Sequence, residues 1–264
     1  MKNAWFFLFG AVLILAISSC DPAPTEYQDP WGAERWGLVW HCPDSLGYDG
    51  FMQKPLALKV SPAAVIQMSD EHTELITSQL KGFFESINAS DYKTSFGDYM
   101  LPETYPSDSI RDQTIIMSYR WDSIGVANHT NDVTIHYISP LIPGPHYDLA
   151  FVDFEMTQTM YFASDRNGNF RNNIRVLERR YPGTEVDITD SIWVNKQGLE
   201  MRRRALAVTV NSSLYAATKG DGQVYWLVPG SEHIPTVWEV MDTLQLDALR
   251  EVRQLNSPSA RHFE

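Results

Sequence analysis

The first strong hydrophobic pattern along the chain is helical. Its apolar residues recur at spacings of three and four, as on one face of a half-buried amphipathic helix. They are Leu75, Ile76, Leu80, Phe83, Phe84 and Ile87. Ser69 or Asp70 is suited to cap the start of this helix, and the polar residues from Asn88 onward end it. A second, shorter helix is predicted from Asp91 to Met100.

The segments that follow carry β-branched and aromatic residues, as strands do. Strands are predicted at residues 114–121, 132–138, 149–162, 186–194, 201–210, 213–218 and 223–228. The sequence Lys-Gly-Asp-Gly at 219–222 predicts a hairpin turn. Alternation in the third strand places Asp153 and Glu155 on the face opposite Phe154.

Two further helices complete the pattern. Helical spacing from Phe170 to Tyr181 predicts the first. Pro235 suits the first turn of a closing helix from Thr236 to about Leu255. Its expected inward residues are Val237, Met241, Leu244 and Leu249. The order of elements predicts an α+β fold, in which a curved antiparallel sheet wraps around the N-terminal helix and a C-terminal helix is added.

The beginning of the chain has the layout of a signal peptide. Lys2 precedes an uncharged apolar run of 13 residues from Trp5 to Ile17. This run is shorter than the roughly 20 residues that a transmembrane helix needs. Ile17-Ser18-Ser19-Cys20 resembles a bacterial lipobox, and the resemblance implies that Cys20 is lipidated and becomes the first residue of the mature protein. The alternative is an ordinary cleaved signal peptide with an incidental cysteine, which we consider less favoured.

These patterns predict five segments. They are a lipoprotein signal peptide (1–19), the lipidated cysteine with a proline-rich tether (20–30), an irregular tryptophan-rich segment (31–68), the α+β domain (69–256) and a loose tail (257–264).

The tryptophan-rich segment is the first candidate binding region. Trp31, Trp36 and Trp40 suit a membrane interface or the stacking of a sugar ring. We favour a third interpretation, that they pack this segment onto the flank of the domain. His41-Cys42 has no second cysteine or suitably spaced histidine, so we predict no metal there and no other cofactor.

Charge and cysteine content restrict the partners. The net charge of −12 argues against nucleic acid or anionic lipid headgroups as the main ligand. Once Cys20 is lipidated, only Cys42 remains, so no intramolecular disulfide is available.

Two stretches carry a fold resemblance. Leu80 to Tyr92 (LKGFFESINASDY) resembles the opening helix of the NTF2-like, cystatin-like superfamily. Ser213 to Ala217 and Val224 to Leu227 look like the closing hairpin of Bacteroidota lipoproteins of unassigned function. The resemblance implies a cone-shaped domain but little about chemistry, since such cones include enzymes, binding proteins and assembly modules.

Three acidic or histidine side chains are candidates for catalysis. His136, Asp153 and Glu155 are candidate acid–base residues, and a curled sheet would bring them into the cone's pocket with Tyr161 and Trp226. We favour the alternative of a solvated strand face and a core histidine. No metalloprotease, nucleophile-elbow or nucleotide-binding motif is found. Residues 202–204 (Arg-Arg-Arg) suit a phosphate or an acidic glycan, although protection of an edge strand is the favoured explanation.

One triplet recurs five times: Asp, a hydroxyl residue and an aliphatic residue. It matches the short sequon of the general O-glycosylation system of exported Bacteroidota proteins. The candidate acceptors are Ser45, Ser109, Ser123, Ser191 and Thr243. The same dipeptides also serve in turns and helix caps.

The sequence therefore predicts a bacterial envelope lipoprotein, held in the inner or outer membrane by acyl chains on Cys20, with surface exposure left open. Its expected role is non-catalytic binding or assembly with a protein or a glycan. One alternative is a hydrolase or isomerase-like enzyme that uses the cone pocket. Another is a periplasmic immunity protein or a structural component of a secretion or motility complex.

Overall fold

Helix α1 (Asp70–Asn88) is the longest helix among the described residues, and it forms where its apolar period predicted it. The backbone N–H of His72 donates to Ser69 Oγ (3.3 Å), so Ser69 is the N-cap. The computed structural model describes residues 55–123, 127–163, 186–194, 200–220, 222–229, 231 and 234–256. The helix predicted at 170–181 lies outside the described residues.

Strands, helices and short helical turns follow one another along the described ranges. The strands are β1 (Ala57–Ile66), β2 (Ala127–Ile138), β3 (Asp148–Ala163), β4 (Val186–Val194), β5 (Glu200–Thr218) and β6 (Val224–Leu227). The other helices are α2 (Asp108–Ser123), α3 (Pro235–Trp238) and α4 (Thr243–Asn256). A π-helical turn (Thr94–Asp98) and a 3-10 turn (Pro102–Thr104) lie between α1 and α2.

The strands form one sheet, and the α+β class is confirmed. Five strands follow the order β1-β2-β3-β5-β4, and β6 pairs with the end of β5. The 19-residue β5 pairs with β3 along one edge, while β4 and β6 share its other edge. β1 runs parallel to β2, so the sheet is not purely antiparallel as predicted. Within the described residues β1 and β4 do not pair with each other, so the sheet is open.

The first core layer lies between α1 and the sheet. Leu80, Phe83 and Phe84 of α1 pack against buried side chains of β2, β3, β5 and β6. The ring centroids of Phe84 and Phe154 are 5.9 Å apart, in an edge-to-face arrangement. The buried apolar face of α1 is therefore the stripe that the sequence predicted.

The C-terminal end of α1 is tied to β2 by Asn88. Its Nδ2 donates to the carbonyl of Thr130, and the Thr130 N–H donates to its Oδ1, both at 2.7 Å.

Asn88→Ala leaves both backbone groups of the buried Thr130 without this partner, so we expect the free energy of unfolding to fall by about 1 to 3 kcal/mol. Urea unfolding of the detergent-solubilised full chain measures this loss. The matched control is Asn256→Ala, because Asn256 makes one exposed bond to Val252; equal losses in both variants would contradict this role of Asn88.

The second core layer covers the opposite face at one end of the sheet. Phe151, Tyr215 and Leu149 are buried there against α3 and α4. The single closing helix that we predicted is wrong, because Asp242 Oδ1 accepts the Gln245 N–H (2.7 Å) and starts a new helix. Leu244 points outward instead of inward. The other three predicted inward residues, Val237, Met241 and Leu249, are buried as expected.

The strand predicted at 114–121 is also wrong, since these residues lie in α2. Ser107 Oγ accepts the Ile110 N–H (3.3 Å) at the start of this helix. Ile115 and Tyr119, four residues apart, then share one buried face against aromatic residues near the π-helical turn. Tertiary packing overrides the strand preference of the β-branched residues.

Three other boundaries differ from the sequence predictions. The segment 31–68, expected to be irregular, contains β1, whose alternation is obscured by Pro62 and by a shift of register between Val60 and Val65. The two strands predicted at 201–218 are one continuous β5. The second helix is reduced to the π-helical turn with its flanking residues. The predicted hairpin is confirmed, and Gly220 and Gly222 adopt positive φ in it.

Candidate functional site

The three predicted acid–base residues come from neighbouring strands. Thr134 pairs with Glu155, and Tyr137 pairs with Asp153. His136 is the extra residue of a β-bulge between these two pairs. The structure therefore brings the backbone positions of His136, Asp153 and Glu155 together at the middle of the sheet.

Their side chains do not share one environment. Asp153 is 1 % exposed, Glu155 is exposed and His136 is partly exposed. The two carboxyl groups therefore lie at different depths on the same face of β3, Asp153 under the surface and Glu155 in solvent.

The two predicted aromatic members of the pocket are not both on this face. Trp226 is fully buried in the core under α1, on the side of Phe154, whereas Asp153 and Glu155 lie on the opposite face. The hypothesis of one pocket lined by Trp226 and the carboxylates, which the sequence left as the less favoured alternative, is therefore wrong. Tyr161 pairs with Ala127 and Ala205 through its backbone, and its side chain lies outside the described residues.

Asp153 belongs to a buried polar row that crosses three strands. It pairs with Tyr137 of β2 and Ser213 of β5, and all three side chains are buried. The Tyr137 hydroxyl donates to Gln67 Oε1 (2.8 Å), and burial raises the pKa of this phenol. Sequence reasoning missed Tyr137 and Ser213 because only strand register shows that they meet Asp153. The register thus places a phenol, a carboxyl group and a hydroxyl group side by side on three adjacent strands.

The arginine cluster lies in a different place from the one we expected. Arg203 and Arg204 pair with β3 on one side and with β4 on the other. This part of β5 is therefore central, and edge protection as an explanation of residues 202–204 is wrong. Because β5 is longer than predicted, the sequence did not show that it is flanked on both sides at this point.

Two of the five glycosylation candidates have described side chains, and both are exposed. Ser109 lies at the start of α2 and Thr243 at the start of α4. The aliphatic residues that follow them, Ile110 and Leu244, are also exposed. The side chains of Ser123 and Ser191, and the whole of Ser45, lie outside the described residues. O-glycosylation therefore stays a prediction. If mass spectrometry gives unmodified masses for the peptides that contain Ser109 and Thr243, this result would count against it.

The remaining predicted residues precede residue 55. Cys20, Trp31, Trp36, Trp40 and the His41-Cys42 pair lie outside the described residues. In the part of the chain that the structure does describe, no helix combines the length and apolarity needed to cross a bilayer. Nor do three or more histidine, cysteine or acidic side chains of that part come together as a metal site would require.

Comparison with known proteins identifies no relative of this chain. No protein-family model, no curated protein and no solved structure matches the chain. The function is therefore inferred from the residues of this chain and their contacts.

Proposed function

We propose that this chain is a bacterial envelope lipoprotein, anchored by acyl chains on Cys20, whose domain binds a protein or a glycan without turning it over. The observation that carries the proposal is the position of Ile17-Ser18-Ser19-Cys20 directly after the apolar run. A thiol at that point forms a thioether with diacylglycerol, and acylation of the new amino terminus adds a third chain. Each buried methylene contributes about 0.8 kcal/mol, so several chains hold the protein firmly in the bilayer.

The domain itself, in this proposal, is an NTF2-like cone. The packing of α1 against one face of β2, β3 and β5 supports this, since the cone of that superfamily holds a helix on the concave face of its sheet. The open sheet and the edge-to-face contact of Phe84 with Phe154 are consistent with it. A crystal structure in which the sheet is flat under α1 would rule out the cone.

The candidate acids define what the enzyme alternative requires. Asp153 is buried in the polar row, and Glu155 faces solvent on the same side of the sheet. The enzyme alternative requires His136, Asp153 and Glu155 to act on one substrate. Any hydrolase or isomerase activity found in the purified protein that is lost in each alanine variant, with folding retained, would restore that alternative.

Purification from native membranes tests the binding role. The full-length chain is isolated after mild cross-linking, and its co-purifying proteins and sugars are quantified. We expect either one protein in near-stoichiometric amount or a bound glycan, because a non-catalytic domain held at a membrane functions by binding a partner. A stoichiometric envelope component supports assembly, a toxin supports immunity and sugar supports glycan capture. A chain recovered with neither protein nor sugar would overturn the proposal.

A further inference from the structure

Four side chains from distant parts of the sequence meet at one end of the domain. Glu103 lies in the 3-10 turn, Tyr147 directly precedes β3, Lys219 directly follows β5 and Tyr225 is in β6. We call these four residues the Tyr147 cluster. No sequence pattern predicted it, because its members lie far apart in the chain.

The contacts within the Tyr147 cluster are specific. The Tyr147 hydroxyl donates to Glu103 Oε1 (3.3 Å), and Lys219 Nζ lies 4.5 Å from the centre of the Tyr147 ring. The rings of Tyr147 and Tyr225 meet edge to face, with centroids 6.1 Å apart. Tyr147 is buried, whereas Lys219 is exposed and Tyr225 is partly exposed. A buried phenol thus supports an ammonium group and an aromatic ring at the surface.

The protonation states fit a binding surface at neutral pH. Burial raises the pKa of Tyr147, so this residue remains a phenol that donates to Glu103. The hydrogen bond to Tyr147 raises the pKa of Lys219, so its ammonium group remains charged. Glu103 Oε2 is shielded from solvent and has no hydrogen-bond partner within the described residues. We therefore regard Glu103 as a positioning residue for Tyr147, while Lys219 and Tyr225 are the groups that a ligand reaches.

The C-terminal helices hold the Tyr147 cluster in place. Gln245 Nε2 of α4 donates to the carbonyls of Tyr147 (2.7 Å) and Ile142 (2.9 Å). The hydroxyl of Thr236 in α3 donates to the carbonyl of Glu103. A Cβ at Gly144 would lie 2.2 Å from Gln245 Nε2, so a larger residue there would displace the amide that makes these bonds. Two of the four members are thus fixed by buried or partly buried hydrogen bonds, as a preformed site needs.

We infer that the Tyr147 cluster is a subsite for a neutral sugar residue. The exposed part of the Tyr225 ring would offer an apolar surface for the C–H groups of a sugar ring, and the exposed Lys219 ammonium group would offer donors for its hydroxyl oxygens. The Glu103 carboxylate next to Lys219 disfavours a phosphate or another anion. This inference rests on the proposed binding role and assigns the ligand class within it.

The test is a binding titration of the full chain, solubilised in a detergent that has no sugar headgroup. The probes are the methyl glycosides of glucose, galactose, mannose and N-acetylglucosamine, followed by saturation-transfer NMR. We expect at least one to bind, and Lys219→Gln and Tyr225→Ala each to weaken it by about tenfold or more, equal to about 1.4 kcal/mol. Lys81→Gln, at an exposed lysine on α1 paired with Glu85, is the matched control and should bind as the wild type does.

The outcomes separate this inference from the proposed function. If no glycoside binds the wild-type chain, the sugar subsite is wrong, while a stoichiometric protein partner would leave the binding role intact. If a glycoside binds but both variants retain full affinity, sugar binding stands and its location is wrong. Equal melting temperatures of the variants and the wild type show that a loss of binding does not result from unfolding.

Discussion

A Cys20→Ser variant should lose its lipid label entirely. Diacylglycerol is attached through the sulfur atom of Cys20, and a serine hydroxyl in its place forms no thioether. The expected result is no incorporation of an alkyne fatty acid into the variant. The wild-type chain should carry the label and enter the detergent phase of a phase-partition experiment, because two or more acyl chains make an anchor that does not readily dissociate.

Cys42→Ser is the matched control for this experiment. It removes the same thiol from the one other cysteine of the chain. We expect it to keep both the lipid label and its membrane association. Retention of label by Cys20→Ser, or its loss from Cys42→Ser, would show that the attachment point is not the one proposed.

Leu80→Ala should greatly lower the stability of the domain. Leu80 is 0 % exposed and lies in the middle of the core between α1 and the sheet. Removal of three carbon atoms there leaves a cavity and is expected to cost about 2 to 5 kcal/mol of unfolding free energy. Urea unfolding of the full chain, followed by tryptophan fluorescence, measures the change.

Leu244→Ala makes the same chemical change at a site that is 81 % exposed. Because Leu244 contributes little buried area, we expect its unfolding free energy to change by less than about 0.5 kcal/mol. The pair also tests the orientation of α4, since the helical pattern of the sequence had placed Leu244 inward. Comparable losses at both positions would contradict the described packing of α4.

The parts of the fold that were predicted correctly have a strong local pattern of apolar residues. The stripe of α1 and the cap at Ser69 were visible in the sequence, as were β2, β3 and β4 to within a few residues. Residues 114–121 of α2 were predicted as a strand because β-branched residues occur in both strands and helices. Contact with the aromatic residues that precede α2 decides between the two structures. The break between α3 and α4 depends on a cap at Asp242 within an otherwise continuous helical pattern.

The candidate site was less predictable than the fold. Alternation correctly placed Asp153 and Glu155 on one face of β3, but it could not show that one is buried and the other exposed. The bulge at His136 depends on the register between β2 and β3. The Tyr147 cluster joins Glu103 to Lys219 only through the folded chain, and no local pattern encodes such a contact.

The most direct test of the central claim is the mass of the N-terminal peptide of the mature protein, isolated from its native membrane. We predict that this peptide begins at Cys20 and carries a diacylglyceryl group on sulfur, with residues 1–19 removed. A further acyl chain on the amino group is expected as well. A peptide that begins elsewhere, or one that begins at Cys20 with an unmodified thiol, would contradict the claim that this chain is a lipoprotein.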